Sequence, residues 1–217
     1  MKENLRLKKI AEMVQKGMIV ADIGTDHAFL PVMLVRDGIS SKVYACDIAQ
    51  GPLKAAKETI ENAGLAANIT TVLCDGLNDV PDDVNCIVIA GMGFVTASGI
   101  LERGMARLDH MKQIIVEVNR DTVSMRKWIS EHGFTIVDEV YVNDRNHDYV
   151  TISFNTSHHE PYTEEECILG PVLLSRKEKN YMEYLNRRIS KIEHILSVSG
   201  NGNELLKKEL SILCNCH

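Results

Sequence analysis

No apolar run in this 217-residue chain approaches the roughly 20 residues that a membrane-spanning helix needs. Internal repeats and low-complexity tracts are also missing, which leaves out solenoid and disordered architectures. The N-terminal stretch MKENLRLKKIAEMV is charged and amphipathic. It lacks the apolar segment and small-residue cleavage site of a secretion signal, so a cytoplasmic location is expected. The 6 cysteines do not suggest a disulfide framework. Cys46, Cys74 and Cys86 fall in apolar runs and read as small buried hydrophobes. Cys214 and Cys216 stand beside His217 but lack a fourth ligand and a rigid frame, so no metal is expected. Nothing calls for an obligate protein partner.

The net charge of -6 counts mildly against a nucleic-acid partner, but its distribution is uneven. Arg176, Lys177, Lys179, Arg187, Arg188 and Lys191 crowd into 176–191 against only Glu178 and Glu183. Lys2, Arg6, Lys8 and Lys9 face Glu3 at the other end. Solvated helix faces and an RNA-tracking surface both account for such clusters.

What is present is an ordinary globular composition, 45% hydrophobic and 25% charged. The length suffices for one substantial core and a small appended domain. Leu5, Leu7, Ile10, Met13 and Val14 predict a helix over 3–16, stopped by Gly17. Strand-like runs follow at 18–24, 42–48, 69–75, 86–91 and 114–119. Helices expected at 28–37, 52–63, 94–107 and 121–132 alternate with them, which predicts a mainly parallel sheet covered on both faces. Runs at 134–142 and 148–154, joined by the polar NDRNH, read as an antiparallel hairpin. Residues 157–166 have no apolar periodicity and read as a linker. Leu174, Tyr181, Leu185, Ile192 and Ile195 form the seam of one long helix over 171–198. The stretch 199–203 breaks it, and Leu206, Leu210 and Leu213 mark a second helix, giving an antiparallel helical hairpin. Two domains are expected, 1–158 and 159–217.

Chemistry concentrates where strands end. The first run closes on Asp22-Ile23-Gly24-Thr25-Asp26-His27-Ala28, a strand-to-helix turn in which one glycine lets a ligand approach the backbone. The later glycines of a dinucleotide fingerprint are absent, and Asp26 and His27 occupy the turn instead. Acids there suit a ligand carrying a sulfonium and an ammonium; a turn that binds nothing is the alternative. Asp47 ends the second strand, where a carboxylate can accept both ribose hydroxyls of a nucleoside. Asp75-Gly76 ends the third, and the small residues of Ala90-Gly91-Met92-Gly93 end the fourth. Three acids at consecutive strand ends line one rim of the sheet.

The strings DIGTDHAFLP (22–31), GPLKAAKETIENAGL (51–65), DGL (75–77), IAGMG (89–93), RKWI (126–129) and GP with SRKEKN (170–180) resemble the bacterial tRNA adenine-22 N1-methyltransferases of the TrmK type. The resemblance runs from about residue 5 to about residue 190. It implies an α/β, Rossmann-like class I methyltransferase with a mainly parallel seven-stranded sheet and a small C-terminal helical hairpin. It implies S-adenosyl-L-methionine as cofactor, held at Asp22, Gly24, Asp47, Asp75, Gly76 and Gly91; Thr25, Ala90 and Met92 of the same strand-end turns are expected to line the cofactor with them. Asp26, assisted by His27 and Asn119, would serve catalysis. Phe94, Arg176, Lys177, Arg187 and Arg188 would bind the substrate, tRNA. Two departures stand out. The family usually reads G-M-G-G where this chain has Gly91-Met92-Gly93-Phe94, and L-Q-P-N where it has Val116-Glu117-Val118-Asn119. Three other readings remain open at this point: a methyltransferase of this fold with another RNA or a small-molecule substrate, a non-catalytic cofactor-binding RNA-interaction protein, and an NAD-dependent oxidoreductase.

Overall fold

The computed structural model describes residues 4–199 and 203–216. Lys2, Glu3, residues 200–202 of the expected helix break, and His217 lie outside the described residues. Asn4 caps α1 (Leu5–Met13) by accepting the Leu7 N–H. Then β1 (Val20–Ile23), α2 (Phe29–Arg36), β2 (Val43–Asp47), α3 (Gln50–Asn62), β3 (Ile69–Leu73) and β4 (Cys86–Met92) alternate along the chain. They are followed by α4 (Phe94–Arg103), α5 (Met105–Leu108), β5 (Gln113–Val118) and α6 (Thr122–Glu131). The seven strands lie in the order β3-β2-β1-β4-β5-β7-β6. The first five are parallel, and β7 (His147–His158) runs antiparallel to both β5 and β6 (Phe134–Asp144).

Side-chain alternation along the buried strands divides the core into two layers. Val20, Val43, Cys86, Val88 and Ile115 pack under α1, α2 and α3 with Ile10, Leu34 and Ile60. Ala21, Ile23, Ile87, Ile89, Ile114 and Val116 face the opposite way, toward Leu101, Met125 and Ile129. Cys46, Cys74 and Cys86 are buried free thiols. Among the described residues no helix is long and apolar enough to cross a membrane.

Four features depart from the sequence expectations. Gly104 interrupts the helix expected over 94–107, separating α4 from α5. The hairpin is longer and tighter than expected, with Arg145 and Asn146 at φ 52° and 64° making a two-residue turn. The stretch read as a linker instead contains α7 (Glu164–Leu169), started by a capping box between Thr163 and Glu166. The single long helix is broken: Lys177, at φ 47°, ends α8 (Pro171–Arg176), and α9 (Lys179–Ser199) begins anew. Against α9 lies α10 (Glu204–Asn215).

The C-terminal helices continue the core of the sheet. Leu169, Leu173, Tyr181, Leu185, Ile192 and Leu213 belong to the same apolar cluster as β4, β5 and α6. Within it lies a polar hub. Arg126 of α6 donates to Glu139 of β6 at 2.6 Å and to the carbonyls of Cys167 and Ile168 at the end of α7. The second Glu139 oxygen accepts the Val172 and Leu173 N–H groups that open α8.

Candidate active site

Strand order reverses between β1 and β4, and the crevice at the carboxyl ends of a doubly wound sheet opens at such a switch point. A cavity of about 310 Å³ lies there, bounded by Asp22, Gly24, Thr25, Asp26 and His27 after β1, by Ala90 and Gly91 of β4, and by Arg6 of α1. The backbone turns sharply on both sides. Gly24 has φ +80°, and a Cβ there would lie 2.1 Å from the Met92 methyl. Gly91, also at φ +80°, is the extra residue of a bulge, since Ala90 pairs with Glu117 but Met92 with Val118.

Asp22 is buried, and desolvation pushes its carboxyl up to about 6 against the opposing pull of a Thr25 hydrogen bond and of Arg6, with Asp47 adding repulsion. A second acid, Glu117, is fully buried below Gly91. Arg6 donates to its Oε2 at 2.5 Å. Burial still raises the Glu117 carboxyl above its usual range, and its Oε1 has no hydrogen-bond partner among the described residues.

The remaining candidate residues spread along the same rim. Asp47, at the end of β2, accepts the Ala49 N–H at 2.8 Å. Asp75 lies two residues beyond β3 rather than at its end, 3.5 Å from Arg103. Gly76, at φ +63°, lets Ile100 of α4 approach closely, so packing accounts for it directly. Asp26 is exposed, with its Oδ2 3.5 Å from His27 Nε2. The His27 ring stacks on the exposed Phe29 at 5.3 Å. Asn119 follows β5, and its Nδ2 donates to the Gly91 carbonyl at 2.7 Å. That bond leaves its Oδ1 to accept from a ligand. Phe94 is half-buried against the core rather than a free platform.

The basic residues expected to bind substrate are paired within the chain. Arg176 meets Asp138 at 2.8 Å, Arg187 meets Asp148 at 2.9 Å, and Arg188 meets Glu209 at 2.5 Å. Lys177 donates to the Cys216 carbonyl at 3.4 Å. These cations tie the helices to the hairpin and to one another. Arg6 and Arg120 are the site residues that spacing did not single out. Arg120 is exposed, has no carboxylate partner among the described residues, and lines a cavity of about 160 Å³ with Asn119, Tyr184 and Arg188.

A parallel sheet of this order, finished by an antiparallel hairpin and carrying an acidic cavity at its switch point, is the fold of a Rossmann-like methyltransferase. The chain belongs to the methyltransferase-domain family, which matches residues 4–152. It is 29% identical over 204 residues to the tRNA (adenine(22)-N(1))-methyltransferase of Bacillus subtilis, spanning 91% of this chain and 84% of that protein. Among solved structures, Streptococcus pneumoniae Sp1610 in complex with S-adenosyl-L-methionine is similar at a TM-score of 0.90 and 27% identity, covering 98% of each chain. M. capricolum TrmK in complex with S-adenosyl-homocysteine is similar at a TM-score of 0.83 and 28% identity, covering 100% of this chain and 96% of that one.

Proposed function

We propose that this protein transfers a methyl group from S-adenosylmethionine to N1 of an adenine in tRNA, at position 22, in the cytoplasm. The observation that carries this reading is the end-to-end likeness to tRNA adenine-22 methyltransferases, which takes in the C-terminal helices as well as the sheet. The donor set fits the cofactor: buried Asp22 offers a carboxylate to a cationic group, Asp47 ends the second strand, where a carboxylate can accept ribose hydroxyls, and Gly24 and Gly91 add no side chain of their own to the turn. The departures at Glu117 and Val118 are buried, while Asn119 keeps the last position of that motif at the exposed edge.

S-adenosylmethionine supplies an electrophilic methyl on a sulfonium; the rest falls to residues of this chain. Adenine N1 holds a neutral lone pair, so no base is needed before attack, and positive charge spreads over the ring as the bond forms. Exposed Asp26 at the cavity mouth stabilises that charge, with His27 fixing its carboxylate. Asn119 Oδ1 accepts a hydrogen bond from the exocyclic amine and orients the base. N1 lies on the pairing edge, so the target base must leave its stack, and Phe29 offers it a ring face. Residues 159–217 serve as the tRNA-docking unit, with Arg120 supplying an unpaired cation beside Asn119. The direct test incubates the protein with methyl-labelled cofactor and unmodified tRNA transcript. Label should enter a transcript with adenine at position 22 and not one with guanine there; equal labelling of both would reject the position.

A further inference from the structure

Among the described residues, every arginine of the chain pairs with a carboxylate except Arg120 and Arg145. Both are exposed. The fold brings these two to one edge. Arg120 follows Asn119 just after β5 and lines the cavity of about 160 Å³ whose other wall includes Asp148 and Val150 of β7. Arg145 stands in the turn where β6 and β7 meet.

Strand register sets how far that turn projects. Glu117 of β5 pairs with Thr151 of β7, β5 ends at Val118, and β7 begins at His147. The hairpin therefore overhangs the end of β5 by about three residues, roughly 10 Å, before it turns. Arg120 marks the foot of the overhang, beside Asn119 and the catalytic rim, and Arg145 marks its tip.

The tip carries a residue that the turn itself does not favour. Arg145 and Asn146 have φ 52° and 64°, as a type I′ turn requires. Asparagine, aspartate and glycine take such positions most readily, and a long side chain there carries a conformational cost. No contact of the guanidinium offsets that cost among the described residues. Its surroundings are rich in hydrogen-bonding groups: Asn143, Asn146 and His147 are exposed, and His147 stacks on Tyr149 at 6.4 Å. The nearby acids are engaged or withdrawn. Asp148 accepts from Tyr141, Asn143 and Arg187, Asp121 accepts from the N–H and hydroxyl of Ser124, and Asp144 is half-buried. An exposed, unpaired guanidinium suits an anion that arrives from outside with acceptor oxygens in series, which is what a phosphodiester chain offers.

We propose that the β6–β7 hairpin is an RNA-contacting finger, in which Arg120 at the foot and Arg145 at the tip each take a phosphate of the strand that flanks the target nucleotide. This rests on the tRNA reading above and adds a surface separate from the C-terminal helices. Two fixed points on one strand set the direction in which the RNA leaves the cavity, while Asn119 holds the edge of the base.

The test titrates the full chain with unmodified tRNA transcript at several salt concentrations. Arg145→Asn should weaken tRNA binding by about three- to tenfold and lower the slope of log affinity against log salt by about one unit, as the loss of one phosphate contact does. Asparagine suits the turn, so this variant should melt no lower than the wild type and bind S-adenosylhomocysteine equally well. Arg145→Lys should keep the slope, and Arg120→Ala combined with Arg145→Asn should lose about two units of it. An Arg145→Asn variant with unchanged slope and affinity, or one that loses tRNA only together with melting temperature, would overturn the finger. So would an Arg145→Lys variant as weak as Arg145→Asn. A wild-type protein that methylates no tRNA overturns the tRNA reading instead.

Discussion

Asp22 loses its proton at about 6, where an aspartate ordinarily does so near 3.8, because burial penalises its charge. The folded protein thus holds a proton that the unfolded chain releases. The stabilisation from this group is complete below the unfolded value and disappears as pH rises through about 6. An ammonium group facing Asp22 needs the ionised form, so affinity for a ligand that carries one should run the other way. S-adenosylhomocysteine binding should weaken toward tenfold per pH unit below about 6 and level off above it, and Asp22→Asn should flatten the profile. An unchanged wild-type affinity between pH 5 and 7 would contradict the assignment (roughly the window set by the Asp22 shift). Asp26 makes a different demand. Asp26→Asn should lower turnover by about a hundredfold or more while leaving S-adenosylhomocysteine affinity intact, as expected for a group that acts on developing charge. Single-turnover kinetics beside calorimetry would separate the two effects. At this scale the DIGTDH string already placed Asp22, Gly24 and Asp26 in one turn, because they are contiguous. The Arg6–Glu117 pair was illegible, since its members are 111 residues apart and only the fold brings them together.

Elements join through the Arg126–Glu139 hub, which links α6, β6, α7 and α8. Both side chains are almost fully buried, and Gly170 between them has no room for a Cβ, which would lie 2.6 Å from Arg126 Nη2 and 2.7 Å from Glu139 Oε2. Removing one partner of a buried pair strands the other's charge. Glu139→Ala should therefore cost about 3–5 kcal/mol in urea unfolding, and a loss below about 1 kcal/mol would show the hub to be incidental. The strings RKWI and GP marked this meeting place in the sequence without revealing what they met. The sequence carries other local signals as well. Thr163 and Glu166 carry the spacing of a capping box inside the supposed linker. The break at Lys177 had no such marker, because a lysine in the left-handed region is rare and no glycine announces the turn. Apolar periodicity ran across it, so one helix was expected where there are two.

At the scale of the molecule, the C-terminal helices share one apolar cluster with the sheet, and their arginines are largely spent on internal ion pairs. Counting basic residues along the sequence overstated the free charge, since the acids that compensate it sit on β6, β7 and α10. Phosphate contact near the substrate edge then falls to unpaired cations such as Arg120. Arg120→Ala should raise the KM for tRNA and reduce the salt dependence of binding by about one unit of slope. Titrations at several salt concentrations would measure this, and an identical slope would remove Arg120 from the interface. The layered sheet itself was legible because alternating Val- and Ile-rich runs and helical spacing agree along the chain. The whole account turns on where the methyl group goes. Nuclease digestion and mass spectrometry of tRNA treated with the protein and S-adenosylmethionine should find 1-methyladenosine in the fragment containing position 22, and none after treatment with Asp26→Ala. Methylation of another base, or of no RNA at all by a protein that binds the cofactor, would contradict it.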